Sequence, residues 1–143
     1  MEEQNKQPER IVIYDDDINA IVDRDMRYVG EARIQVVYFK HSSESDRGIM
    51  DSLQKVGVSK DLVTIISNDE LFNLAIDNIT NVQIPFPQDA DRYIIDGLGY
   101  SEGSKGGFPC IASRLPKGKV LILSTDPRTR MKAREMGYNA ERD

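Results

Sequence analysis

One cysteine, Cys110, is all the thiol chemistry this 143-residue chain holds. It permits no intrachain disulfide and no cysteine cage for a metal. Histidine is equally scarce: His41 stands alone and reads as an ordinary surface residue, so imidazole catalysis has little footing. No apolar run approaches the roughly 18 residues of a membrane span, and no secretory signal pattern opens the chain. Together these absences set the expectation of a cytoplasmic protein. Positive charge is also in the minority, 19 Lys and Arg against 24 Asp and Glu, for a net −5. Broad contact with nucleic acid or an anionic membrane needs a clustered positive surface, so neither is expected as a partner. The one basic cluster, 128–134, has the size of a single solvated helix face.

What is present suits a globular chain. Apolar residues make up 39% and charged residues 30%, and the length suffices for one core without staples. The polar opening MEEQNKQPE reads as a disordered tail, 1–9, ahead of a single domain, 10–143. Five apolar runs predict strands: Arg10–Tyr14, Arg33–Phe39, Leu62–Ile66, Arg92–Ile95 and Lys119–Leu123. Several lack polar alternation, as strands covered on both faces do. Helical spacing lies between them. Ile18, Ile21, Val22, Met26 and Val29 share one face. Ile49, Leu53 and Val56 share another, behind a Ser43-x-x-Asp46 start and before a capping Gly57. A third helix is expected over 69–79, capped by Ser67 or Asn68, and a fourth from Pro127 to Gly137. The stretches 80–91 and 97–109 read as loops, the second carrying five glycines. The alternation predicts an open, doubly wound α/β sheet of about five mostly parallel strands, a three-layer sandwich of flavodoxin-like type.

Ligands of such sheets bind beyond the carboxyl ends of the strands. The first strand is followed there by Asp15, Asp16 and Asp17, the fourth by Asp96, and the fifth by Ser124, Thr125 and Asp126. Adjacent carboxylates are tolerated in water or beside a cation, and Mg²⁺ takes one or two of them while keeping waters. A further carboxylate on a neighbouring strand end can complete that shell or act as a nucleophile, and a hydroxyl can hold a transferring oxygen. Each feature also has a plain reading. Asp15–Asp17 can be a turn with a helix cap, Asp96-Gly97 a turn, and Ser124–Asp126 a helix start. The glycines of 103–107 do not form a Walker loop, since no Gly-Lys-Ser/Thr follows Lys105.

The segments RIVIYDDDI, VTIISNDELFNLAIDN, DRYIIDGLGYSEG and LILSTDPRTRMKAREMGYNA resemble the receiver domain of two-component response regulators. That resemblance implies that Asp15, Asp16 and Asp96, with the backbone carbonyl of Leu98, hold Mg²⁺. It further implies that Asp96 accepts a phosphoryl group from a sensor kinase and that Ser124 senses it. In this phosphorelay the protein partners are a kinase and an output protein, and the domain is a phosphoacceptor more than a dedicated enzyme. The family's lysine has no counterpart in register. Either strand 33–39 fills the missing sheet position and Lys40 supplies the ammonium, or the strands run in plain order and Asp96 ends the fourth. A pseudo-receiver that binds a protein partner without phosphotransfer is the alternative. A haloacid-dehalogenase-type phosphatase, suggested by Asp15-x-Asp17, is disfavoured because Asp96 precedes Ser124.

Overall fold

The computed structural model describes residues 9–23, 33–68, 84–96, 98 and 108–142. Among the described residues six strands form one wholly parallel sheet: β1 (Arg10–Asp15), β2 (Arg33–Lys40), β3 (Val63–Ser67), β4 (Arg92–Asp96), β5 (Val120–Leu123) and β6 (Asn139–Glu141). Their spatial order is β3-β2-β1-β4-β5-β6. The α-helices among the described residues are α1 (Ile18–Asp23), α2 (Asp46–Lys55), α3 (Phe108–Ala112) and α4 (Pro127–Glu135). This is the doubly wound α/β sandwich the sequence predicts.

The layers follow from strand alternation, which sends successive side chains to opposite faces. Ile11, Ile13, Val36, Tyr38, Ile94 and Leu123 pack with Ile21 of α1 and with Ile49 and Leu53 of α2. Val12, Tyr14, Val37, Phe39, Tyr93, Ile95 and Ile122 pack with Phe108 and Ile111 of α3 and with Ala133 of α4. The chain winds outward from β1 to β3 over one face, then crosses back to β4 and winds outward to β6 over the other. Right-handed crossovers require helices on opposite faces for the two directions. The reversal lies between β1 and β4, and in open α/β sheets the carboxyl rim at such a point is where ligands bind.

Several boundaries differ from the sequence reading. The strand β6 has no counterpart in the sequence reading: of Asn139, Ala140 and Glu141 only Ala140 is buried, too little for an apolar run to register. Phe108–Ala112 is a short helix within and beyond the stretch read as the end of a loop, its Phe108, Cys110, Ile111 and Ala112 all buried. The cap of α2 is Ser45, whose hydroxyl accepts from Gly48 N at 3.1 Å, not Ser43. Glu9, counted with the tail, accepts at its carbonyl from Arg33 N at 2.7 Å and pairs through its carboxylate with Arg92. Residues 1–8, the expected helix over 69–79, the positions of Met26 and Val29, and most of the glycine-rich loop lie outside the described residues.

Two buried tyrosines anchor the connection that enters β4. Tyr14 donates to the Pro85 carbonyl at 2.7 Å, and Tyr93 donates to the Pro87 carbonyl at 2.5 Å while accepting from Ala90 N. These bonds draw 84–91 against the sheet and fix where β4 begins beside β1.

Candidate functional site

Register places the acidic residues. Tyr14 of β1 pairs with Ile95 of β4, so Asp15 and Asp96, each one residue further on, end neighbouring strands at the same level. Ile13 and Ile94 both face α1 and α2, and alternation sends Asp15 and Asp96 to that same face. Both are fully buried. Two carboxylates thus stand side by side at the point where the strand order reverses.

Local bonds shape the rest of the acidic triplet. Asp15 Oδ1 accepts from Asp16 N at 2.7 Å and from Asp17 N at 2.9 Å, which folds the chain sharply after β1. Asp17 is exposed and caps α1, its Oδ1 accepting from Asn19 N at 2.9 Å. The plain reading of Asp17 as a cap therefore holds. Asp16 is half-buried and turns toward β2, its Oδ2 3.8 Å from His41 Nε2. Burial raises the Asp16 carboxyl above the ordinary carboxylate value, and His41 opposes that rise.

The donor chemistry of Asp15 and Asp96 suits a hard cation, and two carboxylates with waters are a sufficient protein share for Mg²⁺. Asp16 is not gathered in with them. Among the described residues no group of three or more His, Cys, Asp or Glu side chains is placed to hold one metal ion. Leu98 packs its side chain against the core on the far face of the sheet.

Ser124 follows β5, the other neighbour of β4, and Asp96 pairs in register with Leu123. The buried Ser124 hydroxyl accepts from Asp126 N at 3.1 Å, and its carbonyl accepts from Arg130 at 2.8 Å. Asp126 caps α4 through Arg128 N at 2.9 Å, a bond that also lowers the Asp126 carboxyl. Ser124 is thus one strand away from Asp96 and is engaged in starting a helix.

Lys40 ends β2, on the opposite side of β1 from β4, and pairs with Asp46 at 2.5 Å. The place beyond β5 that strand 33–39 was invoked to fill belongs to β6. Asp96 ends the fourth strand in chain order, yet that strand is bonded directly to β1, because β2 and β3 lie on the far side.

Sequence reasoning passed over Tyr38 and Glu44. Tyr38 O–H donates to Glu44 Oε2 at 2.6 Å and accepts from Ile18 N at 3.1 Å, and Glu44 Oε1 accepts from His41 N at 2.9 Å. Burial, then Glu44, raises the Tyr38 hydroxyl far above its ordinary value. The pair ties the β1–α1 turn to the β2–α2 turn. The only trace in the sequence is Glu44 three residues after His41, the spacing of a side chain reaching back to cap a turn.

Comparison with protein families, curated proteins and solved structures gives no match. No helix among the described residues is long and apolar enough to cross a membrane.

Proposed function

We propose that this chain is a receiver-like signalling domain whose carboxyl-rim pocket accepts a phosphoryl group on Asp96. The observation that carries the reading is the pair of fully buried carboxylates, Asp15 and Asp96, ending adjacent strands at the reversal of strand order. An Asp96 oxygen attacks the phosphorus of a phosphohistidine on a kinase. The P–N bond breaks, an acyl phosphate forms, and the imidazole leaves with its electron pair and takes a proton. Asp15, fixed by two backbone N–H groups, makes that oxygen's surroundings negative. A Mg²⁺ ion held by Asp15 and Asp96 would supply the counter-charge. Ser124, at the end of the next strand, carries the change to α4 because its hydroxyl and carbonyl already bond to residues of the helix start.

The test uses beryllofluoride with Mg²⁺ as a phosphoryl mimic, read by amide NMR. Shifts at 95–96 and 124–126 in the native chain, lost in Asp96→Ala, are expected. Unchanged spectra, or the same response in Asp96→Ala, would reject the reading.

One observation favours a second reading, a pseudo-receiver that binds a protein partner without phosphotransfer. Lys40, the ammonium that phosphotransfer would enlist, is held by Asp46 at the first turn of α2. On that reading beryllofluoride leaves the spectrum unaltered while a partner protein still perturbs the carboxyl rim.

A further inference from the structure

Four residues lie abreast across the sheet at its carboxyl rim. Asp15 pairs in register with Tyr38 of β2, Asp96 ends β4 beside Asp15, and Leu123 of β5 pairs with Asp96. Residues abreast in a parallel sheet share a face, and Tyr38 and Leu123 both pack on the side of α1 and α2. The paired carboxylates are thus flanked by a tyrosine on one side and a leucine on the other. Of the two, the tyrosine brings a polar atom.

That atom sits at a junction. Asp17 accepts at its backbone carbonyl from Ile21 N, and at Oδ1 from Asn19 N and Ala20 N, as a cap of a first helical turn does. The Ile18 N–H is left over from this set, and it donates to Tyr38 Oη at 3.1 Å. Tyr38 O–H donates to Glu44 Oε2 at 2.6 Å, with the Asp16 carbonyl at 3.3 Å as a second acceptor. Glu44 is itself fixed, since its Oε1 accepts from His41 N at 2.9 Å. Burial, then Glu44 and least of all Asp15, raise the Tyr38 hydroxyl, so it remains a donor at neutral pH. A hydroxyl bonded to a carboxylate is also a better acceptor, which strengthens its hold on Ile18 N.

The phenol oxygen therefore grips the β1–α1 turn at Asp16 and again at Ile18. The two N–H groups that orient the Asp15 carboxylate, those of Asp16 and Asp17, belong to the same short stretch. We infer that Tyr38, braced by Glu44, is a positioning residue for the carboxylate pair: it holds this turn in the form that aims Asp15 beside Asp96, and so sets the affinity of the pair for a divalent cation. The inference rests on the proposal that Asp15 and Asp96 take Mg²⁺. Without the hydroxyl, Ile18 N and Asp16 O lose their shared partner, the turn loosens, and the Asp15 carboxylate follows its two amides out of line. Phenylalanine fills nearly the same volume, so the packing of β2 against α1 and α2 is kept.

The experiment titrates Mg²⁺ alone into the intact chain and follows the amides of 15, 16 and 96 by NMR. Saturable shifts are expected there in the native chain. In Tyr38→Phe the Mg²⁺ dissociation constant should rise about tenfold, the equivalent of one good hydrogen bond. The control is Tyr93→Phe, which strips the hydroxyl from a buried tyrosine on the other face of the sheet and should leave the constant unchanged. A residue that only stabilised the fold would not separate these two variants. Glu44→Gln, which leaves one carbonyl oxygen for two donors, should weaken binding in the same direction, and it decides the question if Tyr38→Phe does not fold. Native Mg²⁺ affinity in the deciding variant would overturn the inference while leaving the cation site in place, as would an equal loss in Tyr93→Phe. A native chain that shows no Mg²⁺ response at 15 and 96 would instead remove the cation site itself, and the inference with it.

Discussion

Asp16 is the residue whose behaviour separates the acidic triplet into parts. Its neighbour Asp15 is locked by two amides and Asp17 is spent on a helix cap, while Asp16 is half-buried and faces His41. Burial raises its carboxyl above 3.8, so the folded chain keeps this proton longer than the unfolded chain does. Between 3.8 and the raised value the folded state binds more protons, and stability falls as pH rises through that window. Urea midpoints measured across that range should decline in the native chain, and Asp16→Asn should remove this part of the decline. Identical profiles would contradict it. Tyr14 makes a second prediction at this scale. Tyr14→Phe strips the Pro85 carbonyl of its donor in a part-buried setting and should cost about 1–2 kcal/mol in urea unfolding. Neither effect is visible in the sequence. Tyr14 reads there as one more apolar strand residue, and nothing in the letters DDD says which aspartate is buried, which caps, and which meets a histidine from another loop. Those differences come from the turn and from the neighbouring strand, not from composition.

At the scale of elements, helix ends and strand cores behave differently. The five predicted strands lie within a residue of their observed places, because a run such as Ile11–Tyr14 or Val36–Phe39 is apolar on both faces and has nowhere else to go. Each end that extends does so into a polar residue, Asp15, Lys40, Ser67 or Asp96, since the ladder bonds backbone and does not ask for apolar side chains. The strand β6 and the helix α3 were illegible for a related reason. Both are short, and β6 buries only one of its three residues. The turn between α4 and β6 shows local and tertiary demands meeting in one residue. Gly137 sits at φ +91°, and a Cβ there would stand 2.9 Å from Lys117 Cε. Lys117 in turn lies over the Tyr138 ring at 5.0 Å. Gly137→Ala is expected to cost about 1–2 kcal/mol in thermal or urea unfolding and to loosen β6 first. Amide exchange at 139–141 that is unaltered in this variant would count against the account.

The whole molecule makes its site by winding twice from one central strand. The sequence names the acidic residues and predicts the layered sheet, but not the order of the strands. That order decides whether Asp96 meets Asp15. A strand inserted after the first could have pushed Asp96 away from it; instead β2 and β3 go to one side, and the crossover returns β4 to the free edge of β1. The same order separates Lys40 from Asp96 by a strand. The most direct measurement for the carboxyl rim is intact mass spectrometry after incubation with phosphoramidate and Mg²⁺. The account predicts the gain of one hydroxylamine-labile phosphoryl group in the native chain and none in Asp96→Ala. An unmodified native chain, or equal modification of both, would contradict it.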